Sequence, residues 1–318
     1  MSSTRLVLHC VLLSHLAPVL SGCLPKDDRP PPGNLLVTAS SDSAVQQGFD
    51  TSDGWHIRFT KFIVSPGHSS FYNGGSCTAY SNAGYEKVLN ILQTGSQKVN
   101  LIYALGNCSF RFQLTFPRSD ALVGYNVSAQ DLLLMQTAGT DRFQPTISGA
   151  NGFIAGVATN QSQTKTFSWL FRQSWTYANC SVESDAGLQS SMQVGAHEAE
   201  SVDIMVRGEE LFRNVDQSNR VQLLFEPMAQ ADSAYGNNDG DVTLDELSNI
   251  PTSGSAGLGQ SGVPNGNDAV LGDFGADAGI SIPKDLEALV YEVLYPSMFR
   301  YGDTGQCQAT PGRNRRGD

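Results

Sequence analysis

Histidine is scarce in this chain of 318 residues, and positive charge is scarcer than negative charge. The sequence contains five histidines, and only three of them, His56, His68 and His197, lie beyond residue 23. Catalysis that depends on histidine therefore has few candidate residues. Lysine and arginine number 20 against 31 aspartates and glutamates, which gives a formal net charge of −11. Because binding to a phosphate backbone depends on positive charge, we expect no nucleic-acid partner.

Motifs that would name a reaction are also missing. The chain has no G-x-S-x-G nucleophile elbow and no G-x-x-x-x-G-K-[ST] phosphate-binding loop. Hydrophobic residues make up 40% of the chain, so it can bury a large core and is not disordered by composition. The 32 glycines and 14 prolines indicate many turns, which favours an all-β fold over a helix bundle.

The N-terminal segment has the pattern of a secretory leader. Arg5 is followed by an apolar run from Leu6 to Leu20, and small residues come next. The motif Leu20-Ser21-Gly22-Cys23 resembles the lipobox of bacterial lipoproteins, in which the cysteine is acylated and becomes the mature N-terminus. The resemblance implies that residues 1–22 are a signal peptide and that Cys23 carries the lipid. An ordinary cleaved signal with an incidental cysteine is the alternative.

The same resemblance implies a membrane-attached protein of the cell envelope, and Leu24 directly after the cysteine implies the outer membrane. Stable attachment needs more than one acyl chain, since each buried methylene contributes about 0.8 kcal/mol. Residues 23–34 contain three consecutive prolines, which predicts a stiff, extended tether between the membrane and the body. Removal of the leader leaves 19 basic and 31 acidic residues, so the mature charge is −12.

Four cysteines lie beyond Cys23, namely Cys77, Cys108, Cys180 and Cys307. None of them belongs to a C-x-x-C motif, the usual spacing of a thiolate metal or redox site. Export to an oxidising compartment predicts that the four form two disulfides. Three pairings are possible, and sequence separation alone favours Cys77 with Cys108 and Cys180 with Cys307.

Alternation with a period of two residues predicts short strands from Leu35 onward. The strongest signal is a row of aromatic residues at odd positions: Phe167, Trp169, Phe171, Trp175 and Tyr177. It predicts one long strand, Thr166–Cys180, whose aromatic face fills the space between two sheets. An exposed row that binds sugars is the alternative. We therefore expect a mainly β fold, in which residues 35–250 form an antiparallel β-sandwich.

A few short helices are expected towards the C-terminus. Arg220–Ala231 is apolar on one side, although a proline interrupts it. A second helix is predicted within residues 281–318, where it stops before Pro296 and is followed by a tail. Between the two, residues 251–280 are rich in glycine, serine and asparagine, which predicts a flexible insertion.

Residues 232–247, here called the acidic loop, carry the clearest chemical motif. When Gly240 is placed at the turn position of an EF-hand calcium loop, residues with oxygen ligands fall at the binding positions. The predicted calcium ligands are Asp232, Asn237, Asp239 and Glu246 through their side chains, Asp241 through its carbonyl, and Thr243 directly or through water.

The loop departs from the EF-hand pattern at the first ligand position, which falls on Tyr235. A three-residue expansion formed by residues 233–235 would return the Asp232 carboxylate to that position. The alternative is an Asx-rich turn that opens a helix, with Thr243 as the N-cap and Glu246 completing a capping box.

A looser resemblance supports the calcium interpretation. Some secreted bacterial lipoproteins without an assigned activity are similar to this chain in a Gly-Trp strand start like Gly54-Trp55, a Leu-Phe motif like Leu211-Phe212 and an Asp-rich segment like residues 239–247. Their Leu-Phe motif often carries histidines where this chain has Arg207 and Glu210. The resemblance implies a calcium-carrying lipoprotein and names no reaction.

Together these features predict a lipid-anchored envelope protein with a non-enzymatic binding or structural role. A surface hydrolase that acts on polysaccharide is one alternative, because paired carboxylates are assembled in space and not in sequence. A module that binds an envelope protein or glycan, through a sheet edge or residues 251–280, is another.

Overall fold

Strands outnumber helices in the observed fold, as the sequence predicted. The computed structural model describes residues 29–72, 76–139, 149–184, 187–215, 221–251 and 284–312. The chain divides into residues 1–31 and a compact unit of residues 32–318. The predicted signal peptide, Cys23, the insertion after Pro251 and the last six residues of the tail lie outside the described residues.

In chain order the strands are β1 (Gly33–Ser41), β2 (Phe49–Asp50), β3 (His56–Val64), β4 (Pro66–Tyr72), β5 (Thr78–Ala79), β6 (Lys87–Asn90), β7 (Gln97–Leu114), β8 (Leu122–Val123), β9 (Gly152–Thr159), β10 (Thr164–Phe171), β11 (Trp175–Ser184), β12 (Gly187–Gln189), β13 (Met192–Val194), β14 (Ala199–Val206), β15 (Arg213–Val215), β16 (Val221–Leu223), β17 (Asp241–Val242), β18 (Phe299–Tyr301) and β19 (Gln306–Pro311). The helices are α1 (Ser43–Gln47), α2 (Ala129–Gln136), α3 (Glu226–Ser233), α4 (Leu244–Leu247), α5 (Leu286–Leu289) and α6 (Tyr295–Ser297), with a 3-10 turn over Gly208–Phe212 and a π turn over Val290–Leu294.

Two sheets pack in a sandwich-like arrangement. The larger sheet has ten strands, with β12, β11, β7, β1, β14 and β18 in sequence across it. Of its other strands, β4, β5 and β13 pair with the long strand β7, and β19 pairs with β11. The second sheet has seven strands in the order β17, β10, β9, β3, β6 and β8, with β2 paired to β3. Most pairings are antiparallel, but β1 with β14, β6 with β8, and β10 with β17 are parallel.

The core between the sheets is aromatic. Phe167, Trp169 and Phe171 are almost fully buried, so the row fills the interior as predicted and presents no exposed sugar-binding surface. Tyr177 stacks on Phe112, its partner on the neighbouring strand β7 of the ten-stranded sheet, with ring centroids 4.5 Å apart. Stacked and edge-to-face aromatic pairs of this kind add stability beyond the area they bury.

The prediction of one long strand over Thr166–Cys180 was wrong. β10 ends at Phe171 in the seven-stranded sheet, and β11 begins at Trp175 in the ten-stranded sheet. The chain therefore crosses from one sheet to the other at residues 172–174. The aromatic residues keep their period of two on both sides of this crossing, because β10 and β11 both turn their odd-numbered residues towards the shared core.

The two predicted C-terminal helices also differ in detail. The segment expected to be one interrupted helix, Arg220–Ala231, contains strand β16 and then α3, with Pro227 in the first helical turn. Proline fits there because the first-turn N–H has no partner within the helix. The helical segment expected to stop before Pro296 continues through it. The π turn ends at Leu294, and α6 begins at Tyr295 with Pro296 in its first turn.

The disulfides Cys77–Cys108 and Cys180–Cys307 are both formed, which confirms the favoured pairing. The first joins the segment before β5 to β7, and the second joins β11 to β19 at the edge of the ten-stranded sheet. Among the described residues, no helix is both long and apolar enough to cross a membrane.

Candidate functional site

The acidic loop begins at the end of α3, includes α4 and is attached to the edge of the seven-stranded sheet. Its short strand β17 runs parallel to β10, with Asp241 opposite Thr166 and Val242 opposite Phe167. The Trp169 indole Nε1 donates a hydrogen bond of 2.8 Å to the Val242 carbonyl. Val242 is fully buried, so the apolar residue at the middle of the loop belongs to the aromatic core. This contact fixes the position of the loop relative to the sandwich.

Asp232 is at the centre of the loop. Its side chain is fully buried, and its Oδ2 accepts a hydrogen bond of 3.3 Å from the backbone N–H of Gly240. The Asp232 carbonyl accepts hydrogen bonds from the backbone N–H groups of Gly236 and Asn238, at 3.2 and 3.1 Å. The chain after Asp232 therefore bulges outward and returns, and the Asp232 carboxylate lies beside the glycine of the predicted turn.

The other loop side chains mostly bind the loop itself. Asn237 Oδ1 accepts from the Asp239 N–H at 3.0 Å, and Asp239 Oδ1 accepts from the Asp241 N–H at 2.9 Å. Asp241 Oδ1 accepts from the Thr166 hydroxyl at 2.8 Å. Gly240 has a φ of +91°, which favours glycine over any residue with a Cβ. The bonds that Asn237 and Asp239 accept are Asx turns, in which a side-chain oxygen accepts from the backbone N–H two residues later. Together they bend the backbone so that the oxygen-bearing side chains lie within one short stretch.

Glu246 closes the loop from its far end. Its Oε1 accepts from the Asn237 N–H at 3.2 Å, and its Oε2 accepts from both the N–H and the hydroxyl of Thr243 at 3.0 Å. The Thr243 hydroxyl accepts in return from the Glu246 N–H, so the capping box is present. Glycine is favoured at position 236, because a Cβ there would lie 2.7 Å from the Ala231 backbone carbonyl and 2.2 Å from Glu246 Oε1.

A lysine that the sequence interpretation overlooked completes the site. Lys165 lies on β10, two residues before Phe167, and so occupies the same inward-facing row as the aromatic residues. Its side chain is 6% exposed, and its Nζ donates to Asp232 Oδ2. The other carboxylate oxygen, Asp232 Oδ1, is buried without a hydrogen-bond donor among the described residues. The signal that could have revealed Lys165 was its place in the period-two row.

The donor set suits calcium in its chemistry, because carboxylate, amide, hydroxyl and carbonyl oxygens are the ligands that this hard cation takes. The donor-free Asp232 Oδ1 is a buried negative atom to which a cation could bind. In the described part of the chain, no three histidine, cysteine, aspartate or glutamate side chains converge as a metal-binding group. Coordination would therefore depend on the Asn237 amide and the backbone as much as on carboxylates.

A second polar site, here called the arginine cleft, lies beside the 3-10 turn Gly208–Phe212 and has a volume of about 420 Å³. Its charged residues are Arg207, Glu209, Glu210, Arg213, Arg300 and Asp303. Glu210 is only 6% exposed, and its two oxygens accept from Arg300 at 2.8 Å and from Arg213 at 3.2 Å. Sequence reasoning missed this cleft, since Arg300 and Asp303 are far along the chain from the other four charged residues.

The hydrogen-bonding groups of the cleft are unevenly matched. The Nε groups of Arg213 and Arg300 are buried and have no acceptor among the residues that the structure describes. Arg207 pairs at 3.2 Å with the exposed carboxylate of Asp303. Burial, followed by the nearby carboxylates of Asp42 and Glu210, raises the pKa of Glu209. Because Glu210 and Asp303 are both bound to arginine, the described lining of the cleft presents no pair of free carboxylates of the kind that glycoside hydrolysis uses.

No protein-family model, curated protein or solved structure matches this chain.

Proposed function

We propose that this chain is a lipid-anchored protein of the cell envelope with a non-enzymatic binding or structural role, and that calcium stabilises its acidic loop. The anchorage is supported by the lipobox-like motif that ends at Cys23, together with two disulfides of the kind found in exported proteins. The calcium site is supported chiefly by one observation, the buried Asp232 carboxylate with its donor-free Oδ1.

In this proposal Asp232 supplies the first anionic ligand and Gly240 the sharp turn that follows. Asn237 and Asp239 add side-chain oxygens, and the Asp241 carbonyl, the Thr243 hydroxyl and the Glu246 carboxylate complete the set. Calcium would supply the positive charge that this acidic segment lacks. Because the ion binds the folded loop and not the unfolded chain, its binding free energy adds to the stability of the fold.

Lys165 sets a limit on this affinity. Its ammonium already contacts one oxygen of Asp232, so a calcium ion at the other oxygen would lie beside a like charge. The loop should therefore bind calcium more weakly than a loop without such a lysine. It should also keep its folded form when calcium is removed, because Lys165 neutralises the buried carboxylate by itself.

Anchorage is tested by Cys23→Ser, expressed as the full-length chain in a bacterium that processes lipoproteins. We expect the variant to lose incorporated palmitate and to move from the membrane fraction to the soluble fraction. Cys10→Ser, a change inside the leader, is the matched control and should behave like the wild type. Retention of palmitate by Cys23→Ser would contradict the proposed lipid site.

Calcium binding is tested by thermal unfolding in excess calcium and in chelator. We expect a higher melting temperature with calcium, and we expect Glu246→Gln to abolish that difference while it keeps the capping hydrogen bonds. Asp245→Asn is the matched control, because Asp245 lies in the same segment but is exposed and is not a proposed ligand. An identical wild-type melting temperature in calcium and in chelator would sink the calcium site.

A further inference from the structure

We propose that the arginine cleft binds a small organic anion through a carboxylate or phosphate group. The proposal is independent of calcium and of the lipid anchor. It rests on the unused guanidinium donors, the geometry and the walls of the cleft.

Unused guanidinium donors are the first argument. Glu210 lies between the guanidinium groups of Arg213 and Arg300 and accepts one hydrogen bond from each. The side chains of Arg213 and Arg300 are only 30% and 17% exposed, and their Nε groups have no acceptor among the described residues. A buried donor without an acceptor is costly, and an anion bound by these arginines would offset that cost.

The second argument is preorganisation. By binding both guanidinium groups, Glu210 holds them in place before any ligand arrives, which lowers the conformational entropy lost on binding. Arg207 adds a third guanidinium at the wall, and its partner Asp303 has a 78% exposed side chain, so a ligand can compete for it. Guanidinium groups match the planar oxygens of carboxylates and the oxygens of phosphates with paired N–H donors.

The walls define the remainder of the ligand. Val221, 55% exposed, and Leu223 give the cleft an apolar side, and Thr304 and Gln306 give it a hydrogen-bonding side. A volume of about 420 Å³ lies in the range of small-molecule sites. A ligand with an apolar part beside its anionic group fits these walls better than a bare inorganic ion.

The test is calorimetric titration of the full-length protein with benzoate, phenyl phosphate and, as a neutral analogue of benzoate, benzamide. We expect saturable binding of one or both anions and none of benzamide, and the stronger anion identifies the ligand group. Arg207→Gln should weaken that binding at least fivefold, and it should fold normally because the carboxylate paired with Arg207, that of Asp303, is exposed. Arg58→Gln, on the outer face of β3, is the matched control and should bind like the wild type.

A second variant keeps the proposal testable if Arg207→Gln is unstable. Asp303→Asn removes the carboxylate that competes for Arg207, and it should tighten anion binding. The proposal is overturned by the absence of saturable binding of both anions, by equal binding of benzamide, or by equal losses in Arg207→Gln and Arg58→Gln.

Discussion

Asp232 and Glu210 are both buried carboxylates, but their partners differ in number. Asp232 contacts one ammonium, that of Lys165, and keeps one oxygen without a donor in the described part of the chain. Glu210 contacts two guanidinium groups, which use both of its oxygens. The group left without a partner is therefore an acceptor at the first carboxylate, where further acidic residues lie in the same loop, and the groups left without a partner beside the second are the Nε donors of Arg213 and Arg300. The comparison indicates that the same residue type can form part of a cation site or an anion site according to the number of its partners.

The two sites also differ in how they join the fold. Asp232 lies in the acidic loop, whose short strand β17 pairs in parallel with β10 at the edge of the seven-stranded sheet. Glu210 lies in a 3-10 turn that Arg300 ties to β18 at the edge of the other sheet. A ligand at either site would therefore stabilise one edge of the sandwich without rearranging its aromatic core.

The largest effect is expected from removing the single cation of Asp232. Lys165→Met, measured in chelator, should lower the free energy of unfolding by about 3–5 kcal/mol, because it leaves a buried carboxylate without a counter-ion. Calcium should restore much of this loss, since the ion can then occupy the position of the ammonium. Arg300→Met is the matched change at Glu210 and should cost less, roughly 1–3 kcal/mol, because Arg213 still pairs with the carboxylate. Both are measured by denaturant unfolding.

The double variant Lys165→Met/Asp232→Asn is the control for this comparison. It should be more stable in chelator than Lys165→Met alone, and calcium should no longer stabilise it. If Lys165→Met is as stable as the wild type in chelator, the ammonium does not neutralise Asp232 and the contrast between the two carboxylates fails.

The smallest effect is expected at Glu209, which lies beside Glu210. Its pKa in the folded protein is raised above 4.5 by burial and by neighbouring carboxylates, so the folded state favours the protonated form. The stability from this group is present in full below pH 4.5 and is lost as the pH rises through the raised value. Glu209→Gln should therefore stabilise the protein at pH 7, by less than about 1 kcal/mol after solvent screening, and have little effect near pH 4.

Melting curves of Glu209→Gln and wild type from pH 4 to pH 8 measure this difference. A gain that is the same at every pH would show that the ionised Glu209 carboxylate is not its cause.

Much of the fold could be predicted from the sequence because apolar and polar residues alternate along its strands. Phe167, Trp169 and Phe171 are buried at a period of two, as the alternation of the sequence predicted. The strand break after Phe171 could not be predicted, since the alternation continues across the crossing between sheets. Periodicity shows which way a side chain faces but not which sheet its strand joins.

The candidate sites show the same limit more strongly. The predicted calcium ligands lie within 16 residues and follow the spacing of an EF-hand loop, so the acidic loop could be identified from the sequence. Lys165 is 67 residues away from Asp232, and Arg300 is 90 residues away from Glu210. Both pairs depend on which strands meet at a sheet edge. No local pattern of charge encodes that pairing.

The disulfide between Cys180 and Cys307 has a consequence for cleavage. The two cysteines are 127 residues apart, and the chain between them contains Asp232, Glu210, Arg300 and residues 251–280. A single proteolytic cut anywhere in that closed ring leaves two pieces that are still one covalent molecule. If Cys23 is the anchor, a nicked protein would not be shed from the membrane, and the C-terminal fragment would separate only after reduction.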